Sequence, residues 1–574
     1  MSMNKQRVTL GIILCFIVVS ILVPYTAELP TDNIERTTYS DIAWSENEIV
    51  IFGNEDLEDS GLPGNGTTEN PFVIANLTID SYHDNIDIQQ TDYHILITNC
   101  TITGDFENGV GILLHNTSNV VISNCTISSK LLGIQTRYSE NIQIVDCLFE
   151  SVREICLSFD QSSNISVRQS TFLSIGELYE MWFTGAEDQL VKTGHLSIIN
   201  YCTNITVENS IGVDLDNTSG GFYLYGCHKI ALRNNTISEV DWGLEIQHCT
   251  DVTLANNVFG NTQVYLDGNF QSTFSQVSSN TIGEKELGIF INSINHEIDG
   301  NSLTCALLIG CSNISIRGGV FDKVNPPIGF WDCTNCTIQE ATSNNNARIA
   351  DSQNCSLVSI TSTGSITLVN SEGSTIMDSS FLNTTDSAIN LENSTLTYCK
   401  NNTIYNCRGG ILVQYSDYTE ITDNWIELSG SSGIQIGASR HGIITGNVIL
   451  GSTTYGILLE GGVGRFDIYD NILGWNRVAN ALDDGSSNFW DDEISRGNNY
   501  SDYHGAAVYT ISGDAGSVDN YPSGITEGFW FPPWRNAETE QQIMIIMIVG
   551  IFGAAVVVSG YIWKKYFVIS KPLE

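Results

Sequence analysis

The sequence repeats itself about every 22 residues, and a chain with this period folds as a stack of similar units rather than as a globule. Within a repeat, apolar residues lie two apart, as Leu244 and Ile246 do, which is the spacing of a β-strand and not of a helix. The repeats align from their first glycine, in the segments Gly111–Ile127, Gly133–Phe149, Gly221–Ile237, Gly243–Phe259, Gly410–Ile426, Gly433–Ile449 and Gly456–Ile472.

Strands this short cannot bury an apolar face alone. If each repeat forms one coil, every strand pairs with its equivalents above and below at about 4.8 Å, and the apolar positions line one interior. Asn recurs between the strands, where it tolerates left-handed backbone geometry and can hydrogen-bond along a column of identical residues. The sequence therefore predicts an all-β parallel solenoid.

Both ends of the chain carry an apolar segment. The first, Val8–Val23, follows Lys5 and Arg7 and is typical of a signal peptide, with an uncleaved signal anchor as the alternative. The second, Ile543–Trp563, has no charge and is long enough to span a bilayer, and two lysines follow it. This predicts a plasma-membrane protein with a single C-terminal pass, whose bulk is extracellular.

These features divide the chain into seven parts. They are a signal peptide or anchor (1–27), an N-terminal cap (28–71), the β-helix repeats (72–480), a C-terminal cap (481–525), a juxtamembrane linker (526–541), a transmembrane helix (542–563) and a cytoplasmic tail (564–574). The formal charge of −41 argues against nucleic acid as a partner, because phosphates require basic side chains. The lipid bilayer is the partner of the C-terminal helix.

The cysteines partly follow the same period. Cys125 and Cys147, and likewise Cys227 and Cys249, lie one repeat apart, which indicates a column of stacked side chains. Buried thiols are one interpretation and disulfides between neighbouring coils the other, because stacked positions fall within the distance range of a disulfide. Cys333 and Cys336 have no second pair, so no zinc site is predicted.

Asn-x-Ser/Thr sites are frequent, as expected either for an exported glycoprotein or for a fold that favours Asn at turns. The candidate glycosylation sites are Asn65, Asn76, Asn116, Asn164, Asn204, Asn313, Asn383 and Asn499.

Two segments outside the coils carry a family resemblance. Pro63–Ile79 opens the first coil, and Ser486–Gly505 contains Asn-Phe-Trp and Asn-Tyr-Ser-Asp-Tyr. Together with the coils, they resemble NosD-like proteins of the CASH (carbohydrate-binding and sugar hydrolase) group, over roughly residues 48–525. The resemblance implies a right-handed, single-stranded parallel β-helix like that of pectate lyase, in a membrane-anchored surface protein of archaeal type with terminal transmembrane helices.

The family label also mentions copper, but the nine His and six Met of this chain are scattered, so no metal and no cofactor are predicted. Calcium at the C-terminal cap is the open alternative, at Ala507–Pro522, which has fewer acids than the family's calcium-like string. The acid pairs Asp483-Asp484 and Asp491-Asp492 are expected to be solvated turn residues.

One face of the predicted solenoid is either a ligand-binding surface or a set of ordinary exposed strand residues. Strand alternation points aromatic, acidic and amide side chains outward from consecutive coils, at Tyr223, Tyr225, Glu245, Gln247, Tyr265 and Asp267. Rings cover the apolar faces of sugars and carboxylates accept hydrogen bonds from hydroxyls. A longer spacing between coils predicts a projecting insertion, Gly176–Gly185, whose Tyr179 and Trp182 could wall the groove. The alternation also points Leu113, Phe290, Leu412 and Leu458 outward, which predicts a covering loop or a partner protein.

Three functions remain open at this point. The first is a non-catalytic surface protein that binds extracellular glycans or cell-envelope proteins. The second is a polysaccharide hydrolase or lyase, with Glu180, Glu245 and Asp267 as catalytic candidates, although the paired acids, Gly-His-Gly and Arg-x-Lys of β-helix hydrolases are not present as a set. The third is a structural stalk or adhesin.

Overall fold

The computed structural model describes residues 48–104, 109–174, 195–214 and 220–525. These residues form a right-handed parallel β-helix in which each coil contributes one short strand to each of three sheets. The predicted repeat is one coil, because Gln135 pairs with Leu113 of the preceding coil and with Ser158 of the following coil. The strands fall into an N-terminal stack of three sheets and a C-terminal stack of three sheets.

The N-terminal stack contains sheets A, B and C, and its strands are parallel except for the final hairpin of sheet C. Sheet A contains Ile49–Phe52, Ile86–Gln89, Val110–His115, Leu132–Arg137, Ile155–Asp160, His195–Asn200, Gly220–Tyr225, Trp242–Gln247, Gln263–Asp267 and Val324–Asn325. Sheet B contains Phe72–Ala75, Ile95–Thr98, Ser118–Ser123, Glu140–Val145, Ser163–Arg168, Thr203–Glu208, His228–Arg233, Thr250–Ala255 and Phe274–Ser278. Sheet C contains Thr78–Ser81, Thr101–Gly104, Thr126–Ser128, Leu148–Val152, Thr171–Ser174, Ile211–Asp214, Thr236–Ser238, Val258–Phe259, Thr281–Ile282 and Lys285–Glu286.

The C-terminal stack contains sheets D, E and F, all parallel. Sheet D contains Ile289–Ile291, Ala306–Ile309, Ile328–Trp331, Ala347–Ala350, Ile366–Val369, Ser387–Glu392, Gly409–Gln414, Ile434–Gly437, Tyr455–Leu459 and Ala479–Asp483. Sheet E contains Ile294–Asp299, Ser312–Arg317, Thr337–Gln339, Ser356–Val358, Thr375–Met377, Tyr398–Lys400, Glu420–Thr422, Ile443–Thr445 and Asp467–Tyr469. Sheet F contains Val320–Phe321, Thr342–Ser343, Thr361–Ser362, Ser380–Leu382, Thr403–Tyr405, Trp425–Glu427, Val448–Leu450, Ile472–Gly474, Asn499–Tyr500 and Ser523–Gly524.

Few other elements occur in the described residues. A short helix, Gly53–Asp59, follows the first strand, and this strand lies within the segment predicted as the N-terminal cap. A four-residue helix, Phe270–Thr273, connects two strands of the N-terminal stack, and a 3-10 helix, Gly300–Ser302, connects two strands of the C-terminal stack. The small sheet Tyr509–Thr510/Val518–Asp519 belongs to the C-terminal cap. The part of the chain described here contains no helix long and apolar enough to cross a membrane, and both predicted terminal apolar segments lie outside it.

Apolar side chains fill the interior in columns. Ile122 of sheet B pairs with Ile144, which pairs with Val167, and all three are fully buried. Because successive side chains of a strand point to opposite faces, the residues between them face solvent. Burial of such columns along the whole length is the main driving force for stacking one coil on the next.

The two stacks meet at a step where the outer face of sheet D is covered. Leu307, Ile309 and Trp331 point away from the interior of their own stack, yet they are buried in the core of the N-terminal stack. Trp331 stacks on Phe270 of the short helix Phe270–Thr273, with ring centroids 4.2 Å apart. The end of the N-terminal stack therefore covers the outer face of the first strands of sheet D.

The strand register of sheet D corrects one expectation from the sequence. Phe290 was predicted to point outward, but it pairs with the fully buried Leu308 and packs against the core of the C-terminal stack. In the register of sheet D, Phe290 shares the inward column of Leu308, whereas its neighbour Ile289 shares the outward column of Leu307, and a difference of one residue places a side chain on the opposite face. The remaining outward leucines, Leu113, Leu412 and Leu458, are half-buried.

Asparagine forms two kinds of ladder. The exposed kind occupies left-handed turn positions, as at Asn141 and Asn164, whose side chains bond to each other. In the buried kind, the side-chain amides of consecutive coils bond to each other, and each amide also donates to a backbone carbonyl of the preceding coil. These residues are Asn402, Asn424, Asn447, Asn471 and Asn498. Both kinds satisfy polar groups that would otherwise be left without partners at the turns.

The C-terminal cap is held by buried carboxylates. Asp483 and Asp491 are buried, so the expectation of solvated turn residues is wrong for these two. Asp483 accepts hydrogen bonds from the Trp490 indole and the Ser517 hydroxyl, which links the last coil to two parts of the cap. The Tyr500 and Tyr509 rings stack 3.6 Å apart and close the end of the core.

Candidate ligand-binding face and junction cleft

The structure places the six predicted binding residues in two outward columns on the last coils of sheet A. Tyr223 pairs with Glu245, and Glu245 pairs with Tyr265. The second column runs in the same way through Tyr225, Gln247 and Asp267. These six side chains are named the sheet A stripe; Asp267 is exposed and the other five are half-buried.

Strand alternation holds the stripe in place. Leu224, Ile246 and Leu266 lie between the paired outward positions and are buried in the interior. Each coil therefore anchors two outward side chains on either side of one core residue, at a rise of about 4.8 Å per coil. The stripe is a rigid surface that extends along the axis of the solenoid.

The aromatic rings of the stripe have defined orientations. The rings of Tyr223 and Tyr225 are parallel to within 1°, with centroids 6.5 Å apart. Tyr201 and His248 meet Tyr225 edge to face, at 5.3 Å and 5.7 Å. Trp242 meets Tyr265 in the same way at 6.3 Å. Edge-to-face contacts are favourable for aromatic pairs and restrict the rotation of these rings.

Tyr201 and His248 were not predicted as site residues. Both lie at left-handed turn positions, where Tyr201 has φ 51° and His248 has φ 53°. The equivalent turn position is Asn116 in an earlier coil, and Asn tolerates this geometry better than a bulky residue does. An aromatic residue in a column otherwise suited to Asn or Gly is the sequence signal that could have found them.

Hydrogen bonds and charge fix the polar groups of the stripe. Gln247 Nε2 donates to Glu245 Oε1 at 2.5 Å. Burial raises the pKa of Tyr223, and the neighbouring Glu245 carboxylate raises it further. Burial, then Asp267 and Glu245, raise the pKa of Tyr265. Both phenols therefore remain protonated at neutral pH and can donate a hydrogen bond to a ligand.

The stripe runs into a cleft of about 510 Å³ at the step between the stacks. Tyr265 and Asp267 line it from sheet A, while Arg348 and Thr367 line it from the outer face of sheet D. Trp331, which is 6% exposed, lies between the two sides. We name this space the junction cleft.

Polar groups face the junction cleft from both stacks. Among the described residues, neither Arg348 nor Asp267 forms a side-chain hydrogen bond or an ion pair. Asp351 accepts a hydrogen bond from Asn370 Nδ2 at 2.9 Å and keeps its second oxygen for other donors. The cleft thus combines aromatic surface with an unpaired donor and an unpaired acceptor, as small-molecule sites do.

The other predicted site residues are placed as follows. Tyr179, Glu180 and Trp182, with the predicted insertion, lie outside the described residues. Glu245 and Asp267, the remaining catalytic candidates, lie on neighbouring coils in different columns. The structure therefore brings together six of the eight predicted binding residues.

The predicted glycosylation sites differ in their surroundings. Asn204 and Asn499 are half-buried, and the other six are exposed, at Asn65, Asn76, Asn116, Asn164, Asn313 and Asn383. Asn164 and Asn204 already donate through Nδ2, the atom that would carry a glycan, to Asn141 and Asn164. Occupancy of the sites stays a prediction.

Potential metal ligands do not converge in the part of the solenoid that the structure describes. No group of three or more His, Cys, Asp or Glu side chains there could hold a metal ion. All nine histidines lie in the described residues. Some of them form a hydrogen bond with a single threonine hydroxyl, as His94 does with Thr68 and His228 does with Thr250. The fourteen described cysteines are free and buried.

The buried thiols have hydrogen-bonding roles within the coils. Cys125 and Cys147 donate to backbone carbonyls of the preceding coil, at Ile97 and Ile122. The next coils carry Ser170 and Ser210 at the position of Cys147, and their hydroxyls donate to the backbone carbonyl two residues before, as the Cys147 thiol does. The column predicted from the cysteine spacing is therefore a ladder of weak donors, in which thiols and hydroxyls are interchangeable.

Two family models match the chain. The model described as "Periplasmic copper-binding protein (NosD)" matches residues 184–319 and 311–505, and the model "Right handed beta helix region" matches residues 36–211. The side chains described above do not fit a copper centre, because the histidines are dispersed and the thiols are buried within ladders. The match is therefore one of fold and sequence pattern.

Solved structures with some similarity include an alginate lyase from Paenibacillus sp. str. FPU-7, at 12% identity over 52% of this chain and 93% of that one, with a TM-score of 0.26. The A-module of mannuronan C-5 epimerase AlgE4 from Azotobacter vinelandii is 11% identical over 63% of this chain and 97% of that one, with a TM-score of 0.22. PfbA, a surface adhesin of Streptococcus pneumoniae, is 12% identical over 68% of this chain and 91% of that one, with a TM-score of 0.23. Similarity at this level carries no functional information.

No curated protein matches the chain in sequence. The two NosD segments together span residues 184–505, which is more than half of the 574-residue chain. They cover the end of the N-terminal stack, the junction cleft and most of the C-terminal stack. The resemblance seen in the opening segment and the cap motif is thereby confirmed, and the chain belongs to the NosD family of right-handed parallel β-helix proteins.

Proposed function

We propose that this protein is a non-catalytic, surface-displayed β-helix that binds glycan chains along the sheet A stripe and in the junction cleft. The observation that carries the proposal is that the sheet A stripe runs directly into the junction cleft. Oriented aromatic rings with carboxylate and amide neighbours lie on consecutive coils and end in a cleft of about 510 Å³.

The chemistry of the stripe suits sugar rings. Tyrosine faces cover the apolar faces of pyranose rings, while Glu245, Gln247 and Asp267 offer acceptors and donors for hydroxyl groups. Because the columns follow the solenoid axis, an extended chain can contact several coils at once, and each additional contact adds to the affinity.

The charge of the site favours a neutral or amine-bearing glycan. Glu245, Asp267 and Asp351 face the stripe and cleft, against the single guanidinium of Arg348. The whole chain carries a formal charge of −41, which repels polyanions at low ionic strength. We therefore expect acidic polysaccharides to bind less well than neutral ones.

The proposal includes the topology expected from the sequence, with the solenoid outside the plasma membrane and the C-terminal helix as its anchor. It includes no metal or other cofactor. Cell-envelope proteins that carry such glycans are the natural partners of a protein displayed in this way.

Binding to a neutral glycan array tests the proposal directly. We expect the Tyr225→Ala and Glu245→Gln variants of the full chain to bind at least about tenfold more weakly, because each removes a central contact of the stripe. The matched control is Tyr82→Ala, since Tyr82 is 72% exposed and lies outside the stripe. The affinity of each variant is measured by calorimetry with the oligosaccharide that gives the highest array signal.

Two outcomes would count against this function. Absence of binding by the folded wild-type protein to any neutral or amine-bearing glycan would exclude it. Equal loss of affinity in Tyr82→Ala and Tyr225→Ala would show that binding does not involve the stripe.

A further inference from the structure

A second group of bulky side chains occupies left-handed turn positions at the start of sheet E. In the earlier coils this column contains Asn313, Asn335 and Asn354, whereas the later coils place Leu396, Tyr418, His441 and Arg465 there, all with positive φ. The positions are equivalent, because each backbone N–H donates to the carbonyl at the matching point of the next coil, as Asn335 does to Gln353 and Tyr418 to Arg440.

Bulky side chains are disfavoured in this conformation, while Asn and Gly are tolerated. Three successive coils carry Tyr418, His441 and Arg465 where the same fold elsewhere uses Asn. Residues held in a disfavoured backbone geometry are concentrated at functional sites. Within this column, the exchange of Asn for ring-bearing and cationic side chains is confined to the coils near the C-terminal cap.

These side chains form an ordered surface. The rings of Tyr418 and His441 are stacked, with centroids 5.1 Å apart and planes within 9°. Arg465 Nη1 lies 3.4 Å from His441 Nε2, within hydrogen-bond distance of the ring nitrogen. Tyr418 is 51% exposed, so an aromatic face remains available to a ligand.

A column of sheet E runs beside this stack. Tyr398 pairs with Glu420, Glu420 with Ile443, and Ile443 with Asp467. Neither Glu420 nor Asp467 has a side-chain partner in the described part of the chain. Burial raises the pKa of the Asp467 carboxyl.

Within the residues described, other acidic side chains nearby already have hydrogen-bond or ion-pair partners, unlike those of Glu420 and Asp467. Asp417 accepts a hydrogen bond from the Arg440 backbone N–H at 2.8 Å, and Asp470 pairs with Arg496 at 3.0 Å. Glu420 and Asp467 thus keep their acceptor capacity, about 10 Å apart at about 4.8 Å per coil. Exposed rings, free acceptors and one guanidinium are the same combination as in the sheet A stripe and the junction cleft taken together.

We propose that Tyr398, Tyr418, Glu420, His441, Arg465 and Asp467, named the sheet E face, form a second site for a neutral glycan chain, independent of the sheet A stripe. The charges of the face are nearly balanced in a chain with a net charge of −41, which suits a neutral hydroxylated ligand. The ligand lies along the solenoid axis, because its contacts are distributed over successive coils. A protein with two such sites binds two chains or bridges two segments of one chain.

The inference shares only its ligand class with the proposed function, so the two are tested together but fail separately. Four forms of the full chain are compared: wild type, Tyr225→Ala with Glu245→Gln, Tyr418→Asn with His441→Asn, and all four substitutions combined. Asn is native to the column of Tyr418 and His441, so the fold is retained. The control is Leu428→Asn, which makes the same exchange at a left-handed position beside sheet F, where Leu428 has φ 56°.

The probes are oligosaccharides of β-glucose, mannose and N-acetylglucosamine, and the readouts are affinity and stoichiometry by calorimetry. We expect two sites per wild-type chain, one in either double variant and none in the combined variant, with Leu428→Asn like wild type.

Complete loss of binding in the stripe variant alone, or two sites in the sheet E variant, would overturn this inference while leaving the stripe intact. Unchanged binding in the stripe variant, with complete loss in the sheet E variant, would contradict the proposed function of the stripe and support the sheet E face. No binding by wild type would overturn both.

Discussion

Replacement of Asp483 by alanine is expected to lower the stability of the C-terminal cap by about 4 kcal/mol, because several buried donors lose their acceptor at once. Asp483 Oδ1 accepts from the Gly485 N–H and Asn488 Nδ2, both at 2.9 Å. Oδ2 accepts from Trp490 Nε1 at 2.9 Å and from Ser517 Oγ at 2.7 Å. The carboxylate is fully buried, so water cannot replace it without opening the cap.

Hydrogen exchange measured by mass spectrometry localises this effect. In Asp483→Ala, we expect faster exchange in the last coils, Asp467–Tyr469 and Ala479–Asp483, and unchanged exchange in Glu140–Val145, because a solenoid transmits instability mainly to neighbouring coils. Asp483→Asn keeps one acceptor oxygen and should lose about half as much stability. Uniform exchange along the chain, or an alanine variant as protected as wild type, would contradict the role assigned to this carboxylate.

Replacement of Asn424 by alanine is the second large effect, expected at about 3 kcal/mol in the free energy of unfolding. Asn424 Nδ2 donates to Asn447 Oδ1 and to the Cys399 carbonyl, both at 2.9 Å. Asn424 Oδ1 accepts from the Asn402 N–H at 3.0 Å and from Asn402 Nδ2 at 2.9 Å. The substitution leaves the Asn402 donors buried without an acceptor, and each such group costs about 1–3 kcal/mol.

The matched control comes from the exposed ladder of the same coil. Asn401 has φ 53°, and its Nδ2 donates to Asp378 Oδ1 at 2.7 Å in contact with solvent. Asn401→Gly keeps the left-handed geometry and should change stability by no more than about 0.5 kcal/mol. Urea denaturation followed by circular dichroism compares the two variants. Equal losses for Asn424→Ala and Asn401→Gly would show that burial of the ladder does not determine its contribution.

Local patterns in the sequence were sufficient to predict several features. The alternation in Leu244 and Ile246 predicted strands with one buried face, and the period predicted that Glu245 would stack between Tyr223 and Tyr265. Such columns can be predicted from the sequence, because strands that pair in register place equivalent residues of successive coils next to each other. The distinction between buried and exposed Asn ladders was not readable, since both follow the same period.

The junction cleft could not be predicted in this way. It forms where the N-terminal stack covers the outer face of sheet D, and its walls combine Asp267 with Arg348, which are far apart in sequence. The prediction for Phe290 failed by one register position, because Phe290 pairs with the inward Leu308 and packs on the interior of the C-terminal stack. A pattern of alternation cannot report an offset between two stacks, because it contains no information about what lies outside the coil.

What the sequence determined by itself is the coil: its length, its strands, its apolar columns and the outward position of the stripe residues. These follow from interactions between equivalent residues of adjacent repeats. Only the tertiary structure decided where the two stacks meet, which of the paired cap acids are buried, and that Tyr201, His248, Tyr418 and His441 occupy left-handed turns. Those features depend on contacts between segments with no common period, and such contacts exist only once the coils have stacked.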